Sequence, residues 1–470
     1  MITLSLAEIA EIVGGQPHDT ADAAAVRVTG PVVRDSRDVR PGSLFVALAG
    51  ERVDGHDFAA AVVEAGAAGV LATRPVGVPA VVVDDVLTAL GRLARAVVTR
   101  LGTEVVALTG SAGKTSTKDL IAQLLQHRAP TVWTPGSLNN EIGLPLTALT
   151  ADEDTRHLVL EMGARGIGHI AYLTGLTPPT IGLVLNVGSA HIGEFGGREQ
   201  IAQAKGELVE ALPADGHAIL NADDPLVRAM FARTKAPVTL FGEAADADVR
   251  AEDVVLGDDG RPSFTLRTPT GCGAVKLRLY GEHHVSNALA AAAVAHVIGM
   301  PADEIATALS EAGTLSRWRM EVSERGDGVR IVNDAYNANP ESMRAALRAL
   351  VAMGKGRRTW AVLGTMAELG DASLAEHDAV GRLAVRLNVS KLVAVGGQEA
   401  SWLRLGAYNE GSWGEESVHV SDARAAIDLL RSELRPGDVV LVKASRSVGL
   451  EAVATALLED DGAAGEGGRA

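Results

Sequence analysis

Leu108-Thr109-Gly110-Ser111-Ala112-Gly113-Lys114-Thr115-Ser116-Thr117 stands between a β-branched apolar run, Val105-Val106-Ala107, and a helical pattern, Asp119-Leu120-Ile121-Ala122-Gln123-Leu124-Leu125. A strand, a glycine-bearing turn and a helix that opens on Lys and Thr make a phosphate cradle. Backbone N–H groups at a helix N-terminus point at an anion, and glycine lets them approach it. Lys114 adds a point charge for the outer phosphates, and Thr115 a hydroxyl for Mg²⁺. Leu108 occupies the place of the first glycine in the longer G-x-x-x-x-G-K-[ST] pattern, so the motif is the shorter G-x-x-G-K-T. Its strand-to-helix setting favours nucleotide binding over an ordinary glycine turn with a solvated lysine.

Around this stretch the chain divides into three blocks of alternating strands and helices. The first holds Ser43–Leu48, a helix near Phe58 to Ala65 and Ala80–Val83, with a helix from Val86 to Arg100 leading out. The second continues from the phosphate loop through His157–Leu160 and Ile181–Leu185, whose unbroken apolar character suits parallel strands covered on both faces. It closes on an alanine-rich helix, Ala288 to Met300. The third begins near Leu315 and repeats the rhythm with Val329–Val332, Thr359–Gly364, Lys391–Val395 and Val439–Val442. Such alternation predicts an α/β protein with a parallel sheet in each block and ligand sites at the carboxyl ends of strands. The glycine-rich end, 459–470, reads as a disordered tail.

The chain's 470 residues suit about two to four domains, and 47% hydrophobic with 22% charged residues is a globular composition. A net charge of −16 argues against a nucleic-acid partner. It leaves room for a small anionic substrate held by a local cationic cluster. One cysteine, Cys272, excludes an internal disulfide and a cysteine metal cage, and reads as a buried or spectator thiol. Ser5-Leu6-Ala7-Glu8 is a capping box, and with Glu8 and Glu11 nearby the N-terminus does not read as a signal peptide. No apolar stretch is of bilayer length. We expect a cytoplasmic protein with no membrane insertion.

Several loops after predicted strands carry chemistry. Glu161 follows His157–Leu160, where a carboxylate could hold Mg²⁺ or lie on the surface. His191 follows Ile181–Leu185, as a ligand or as a packing residue. Lys205 borders the apolar stripe of a helix from Glu199 to Leu212, and pattern alone favours a snorkelling lysine with its amine in water. The sharper alternative is a desolvated amine drawn into the site. Asn287 could meet a purine edge or cap the alanine-rich helix. Asn333-Asp334-Ala335-Tyr336-Asn337-Ala338-Asn339-Pro340 could shape a turn or hold a ribose, and Lys443-Ala444-Ser445-Arg446 gathers cations at a strand end.

Taken in order, these segments resemble the Mur ligases. Asp35-Ser36-Arg37, Pro41 to Leu48 and Asp54-Gly55-His56-Asp57-Phe58 are similar to the family's UDP-binding first domain. The segment 109–116 is similar to its shortened phosphate loop. Asn139-Asn140-Glu141-Ile142-Gly143-Leu144-Pro145, Glu161-Met162-Gly163-Ala164, Ala204-Lys205-Gly206-Glu207, 333–340, Gly364 to Gly370 and 443–447 follow in family order. The family often has Asn where His284 stands, Glu where His169 stands and Gly where Ala444 stands.

The resemblance implies a smaller N-terminal α/β domain (1–98) that binds a UDP-MurNAc-peptide. It implies a central ATP-binding domain with a P-loop parallel sheet (99–314) and a C-terminal Rossmann-like domain (315–458). It further implies an ATP-dependent amide ligase of peptidoglycan synthesis, acting on UDP-MurNAc-tripeptide and D-Ala-D-Ala and monomeric. Gly110, Ser111, Ala112, Gly113, Lys114, Thr115 and Ser116 would serve ATP, with Asn287, Arg319, Asp334 and Asn339 on its adenine, phosphate or ribose. Thr115 and Glu161 would hold one Mg²⁺. His191 and Lys205 would belong to a second, with Lys205 carbamylated by CO₂. Ser36, Arg37, Asn139, Asn140, Lys443 and Ser445 would meet the other substrates. Another Mur-type or folylpolyglutamate-type ligase, or a P-loop ATPase switch that makes no bond, are the alternative readings.

Overall fold

The computed structural model describes the chain apart from residues 51–52, 189–191 and 467–470 and the side chains of 192, 194 and 460–466. His191 therefore lies outside the described residues. Among the described residues three α/β sheets follow one another along the chain, beside a two-stranded antiparallel pairing of Leu4–Ser5 with Arg27–Val28.

In the first block Ser5 caps the helix Leu6–Val13 as expected: its hydroxyl accepts from the Glu8 N–H, and Gly14 closes the helix at φ 73°. The five-stranded sheet runs Gln16–His18, Ala80–Val82, Gly69–Ala72, Leu44–Val46, Val32–Val33, antiparallel at its first pair and parallel elsewhere. The helix Val86–Leu101 then carries the chain to the next sheet. Asp85 caps it, and its apolar face (Leu90, Leu93, Val97) lies in a core shared with Val105, Leu158 and Leu208 of the second block.

The central sheet has nine strands in the order Gly271–Lys276, Pro262–Thr268, Val249–Leu256, Val238–Gly242, His217–Asn221, Ile181–Val184, Glu104–Thr109, His157–Glu161, Thr131–Trp133. It is parallel from Thr131–Trp133 to Val249–Leu256. The last two strands are antiparallel, so the expectation of a purely parallel sheet is corrected at this edge. Strands such as Pro262–Thr268 alternate buried with half-buried residues, because one face is less covered there, and they lack the continuous apolar run that marks the centre.

Leu108 pairs in register with Glu161 on one side and Leu183 on the other, so three strands end level around the phosphate loop. The chain order reverses beside this strand, the place where open α/β sheets bind ligands. The alanine-rich helix runs His283–Val297 and is almost wholly buried, so Asn287 lies inside it rather than before it.

The third sheet runs Glu321–Glu324, Arg330–Asn333, Val439–Lys443, Thr359–Leu363, Lys391–Val395, Ser417–Val420, again with one antiparallel edge. Its last helix, Glu451–Glu466, extends past residue 459, where a disordered tail was expected. Cys272 is exposed on an edge strand, which corrects the buried-thiol reading. Among the described residues no helix is long and apolar enough to cross a membrane.

Candidate active site

The carboxyl edges of the second and third sheets face one another across a cleft of about 580 Å³, with Arg34 of the first block also on its wall. Each strand end delivers one part of the site. After Glu104–Thr109 the loop turns into the helix Lys114–Gln126 through Gly113, whose φ is 82°. A Cβ there would stand 2.5 Å from Asn287 Oδ1, so glycine is required by backbone and neighbour alike. The loop is clamped from the next strand end: Asn186 Oδ1 accepts from the N–H groups of Ser111 (3.0 Å) and Ala112 (2.9 Å), while its amide donates to Ala112 O (3.1 Å).

Lys114 Nζ donates to Gly110 O (2.7 Å) across the turn. Burial lowers its pKa; the Arg319 guanidinium adds to this and Glu161 opposes it. Glu161, 1% exposed, closes the strand His157–Glu161. Its carboxylate accepts from Thr115 Oγ1 (2.9 Å) and Asn139 Nδ2 (2.6 Å), both neutral donors. Thr115 Oγ1 also lies 2.9 Å from Ser137 Oγ, and Arg319 Nη2 donates to both hydroxyls at 3.2 and 3.3 Å. The Arg319 Nε is buried with no hydrogen-bond partner, and its guanidinium lies 4.3 Å over the Tyr336 ring. A buried guanidinium with a spare donor beside a phosphate loop suits an anion.

Lys205, in the helix Arg198–Glu210, is 4% exposed and lines the cleft. The snorkelling lysine is therefore corrected: its helix packs against the strands Glu104–Thr109 and Ile181–Val184, and Lys205 faces the cleft rather than open water. Among the described residues Lys205 has no hydrogen-bond or ion-pair partner. Burial first, and the Lys114 charge second, push its amine well below the ordinary lysine range. On the facing edge Lys443 is 1% exposed but paired, with Asp334 Oδ2 at 2.6 Å and Asn337 O at 2.8 Å. Asn339 caps the helix Pro340–Met353 and donates through Nδ2 to Ser111 O (3.3 Å), so the third sheet reaches the phosphate loop itself.

Family models for the Mur ligase family catalytic domain, the Mur ligase middle domain and the Mur ligase glutamate ligase domain match residues 32–98, 108–295 and 318–446. A Mycobacterium tuberculosis protein named UDP-N-acetylmuramoyl-tripeptide–D-alanyl-D-alanine ligase is 51% identical over 98% of this chain and 99% of its own length. The chain belongs to the Mur ligase family. Among solved structures, MurF from Acinetobacter baumannii is 32% identical, covering 97% of this chain and 99% of its own, with a TM-score of 0.87. MurF from Thermotoga maritima, solved in complex with ADP, is 31% identical over 92% of this chain and 98% of its own, with a TM-score of 0.80.

In this Mur ligase the cleft collects most, not all, of the residues singled out from sequence. Ser111, Ala112, Gly113, Lys114, Thr115, Ser116, Asn139, Asn140, Glu161, Lys205, Asn287, Arg319, Asp334, Asn339 and Lys443 line it. Gly110 stands behind it as the Lys114 acceptor. Ser36 and Arg37 are not brought there: they sit on an outer turn where Arg37 pairs with Asp35, and Arg34 faces the cleft instead. Ser445 turns away to accept from the Ala367 N–H (2.9 Å). Asn186 and Ser137 were missed. Asn186 follows a predicted strand directly, and strand-end position was the signal that could have found it.

Proposed function

We propose that this Mur ligase joins D-alanyl-D-alanine to UDP-N-acetylmuramoyl-tripeptide with ATP, through an acyl phosphate, to give the UDP-MurNAc-pentapeptide of peptidoglycan synthesis. The observation that carries this is full-length 51% identity to a ligase named for that reaction. The meeting of three sheets at one cleft supports it, since three substrates need three surfaces. In this reading 1–98 binds the UDP-peptide, 99–314 binds ATP, and 315–458 closes the site. The protein acts as a cytoplasmic monomer.

The terminal carboxylate of the tripeptide attacks the ATP γ-phosphorus and ADP leaves. The free amine of D-Ala-D-Ala then attacks the acyl carbon, and inorganic phosphate departs from the tetrahedral intermediate. Little covalent work falls to side chains, so catalysis is positioning plus charge stabilisation. With the Ser111 and Ala112 N–H groups tied to Asn186, the N–H groups at the N-terminus of the helix Lys114–Gln126 and the Lys114 amine hold the phosphates. Arg319 brings a second cation to the same place, and its spare Nε–H is free for a phosphoryl oxygen. Asn287 serves the adenine, and Asp334 and Asn339 the ribose. Asn139, Asn140 and Lys443 line the peptide side.

The donor set suits Mg²⁺, a hard cation that takes oxygen ligands. Glu161 is a buried carboxylate with only neutral hydrogen-bond donors, beside the Thr115 hydroxyl. These two would hold one ion. His191 and Lys205 would hold a second, with Lys205 as a carbamate: a neutral amine adds CO₂ and loses a proton, turning a cation into an anionic oxygen donor. Bound Mg²⁺ would neutralise charge on the transferring phosphoryl group. The unpartnered, desolvated Lys205 amine supports the modification, because only the neutral amine is nucleophilic.

The test is phosphate release by the purified protein. Dependence on both the UDP-tripeptide and D-Ala-D-Ala, with one pentapeptide product by mass spectrometry, is expected. ATP hydrolysis indifferent to either substrate would make the protein a phosphate-loop switch instead.

A further inference from the structure

The connection from the helix Ala302–Glu311 to the strand Glu321–Glu324 is held on both sides. Asp119 and Gln123 lie four and eight residues after Thr115, on one face of the phosphate-loop helix. Gln123 forms a reciprocal pair with the Gly313 peptide: its Nε2 donates to Gly313 O (3.0 Å), and its Oε1 accepts from the Gly313 N–H (3.0 Å). One turn nearer the phosphate loop, Asp119 Oδ2 accepts from the Ser316 N–H (3.0 Å). The connection thus runs along the helix toward its N-terminus and delivers Arg319 to Thr115.

Its last residues are wound into a rare conformation. Trp318 and Met320, which flank Arg319, have φ of 58° and 49°, left-handed values that cost a residue with a side chain. Such a conformation persists where the surroundings over-determine it. The third block supplies the determinants. Glu321 Oε2 accepts from the Trp318 N–H (3.0 Å), Asp334 Oδ1 accepts from the Met320 N–H (3.1 Å), and the Arg446 guanidinium lies 4.3 Å over the Trp318 ring.

We infer that Gln123, with Asp119, is a positioning residue of this ligase: it indexes the connection along the phosphate-loop helix so that Arg319 meets Thr115 and Ser137 at the ATP phosphates. Gln123 itself does not reach the cleft and acts through Arg319. A turn held only at Trp318 and Met320 would fix the shape of the Arg319 segment but not its place along the helix. Gly313 and Ser316 supply that place.

The inference rests on the ligase reading only for the identity of the reaction, so its test is a binding measurement. The Kd for ATP is measured by calorimetry, with Mg²⁺ present, on the full chain, on Gln123→Met, on Arg319→Ala and on the double variant. Gln123→Met keeps length and bulk while removing both bonds to Gly313. A roughly tenfold weaker Kd is expected in the parent background, and less than twofold further change in the Arg319→Ala background, because residues that act as one unit are not additive. Equal losses in the two backgrounds, or none in the parent, would overturn it. Asp119→Ala, which removes the acceptor of the Ser316 N–H, should weaken ATP binding in the same Arg319-dependent way if Gln123→Met proves too unstable to purify. Substrate-dependent phosphate release by the parent tests the ligase reading separately, so either can fail without the other.

Discussion

Two lysines enter the cleft from opposite sides, Lys443 from a strand end of the third sheet and Lys205 from the helix Arg198–Glu210. Lys443 is 1% exposed and Lys205 4%, and burial lowers the pKa of each. Their surroundings differ. Lys443 lies against a carboxylate and a carbonyl, and Asp334 offsets much of the desolvation that burial imposes. Among the described residues Lys205 has no such partner, and the charge that acts on it, Lys114, is of its own sign. A protein that needs a cation at a buried place supplies an anion with it. One that leaves the anion out holds a neutral amine, which is the form that can react. The contrast separates a lysine that binds and braces from one available for modification.

The most severe way to break this contrast is Lys205→Ala. If the carbamate reading holds, turnover falls at least a thousandfold, ~4 kcal/mol of transition-state stabilisation, while the melting temperature stays near that of the parent. Short carboxylic acids added to the variant should restore part of the rate by standing in for the missing oxygen donor. Turnover within tenfold of the parent removes the modification from the mechanism.

Lys443→Met attacks the other member. It strands Asp334 in a buried position without its cation, a change that costs roughly 3–5 kcal/mol when a buried pair is halved. Denaturant unfolding should therefore show a large loss of stability, and adding Asp334→Asn should recover much of it. An unchanged midpoint for Lys443→Met would mean the pair contributes nothing to folding and is kept for ligand binding alone.

Neither lysine's state was legible in the sequence, and the reason is physical. Local pattern reports which face of a helix is apolar, and Lys205 beside Ile201 and Val209 looked marginal. Whether a marginal position meets water depends on what the fold packs beside it, here strands as distant in the chain as Glu104–Thr109. What sequence revealed well were features set by local backbone chemistry. These include the Gly110–Gly113 turn, the Ser5 cap, the Asn339-Pro340 helix start and the placement of Glu161 at a strand end. The central sheet's parallel core was legible from its apolar runs, and its antiparallel edge was not, because Pro262–Thr268 carries no continuous apolar run. Asn186 was passed over although it follows a strand end as directly as Glu161 does. Its clamp on the Ser111 and Ala112 N–H groups is a tertiary contact.

His283 sharpens the comparison from the Lys443 side. Burial brings its pKa from 6.5 down to about 4; Asp334 works against the shift and Lys443 with it. Between those values the unfolded chain binds a proton that the folded chain does not. Stability therefore rises with pH across that window and is lost as pH falls from about 6.5 toward 4. The full effect is at most ~3 kcal/mol. His283→Asn should flatten that part of the stability–pH curve relative to the parent. A parallel pair of curves would mean that the imidazole is solvated and that the Asp334–Lys443 pair is more open to water than its burial indicates.

The finest test returns to Lys205 with an apolar replacement. Met has a similar length, no charge and enough flexibility to fill an irregular gap. At pH 7 the unfolded parent carries a charged Lys205, while the folded parent holds the amine well below its ordinary 10.5, so folding must release a proton and surrender hydration. Lys205→Met removes that cost and should gain about 1 kcal/mol in CO₂-free buffer, with activity lost. The sign is opposite to that of Lys443→Met. The gain must also shrink as pH approaches 10.5, because the unfolded lysine then gives up its proton too and the two states converge. A loss of stability, or a gain that does not change with pH, would mean that Lys205 is charged and partnered in the folded protein. The two lysines would then be doing the same job.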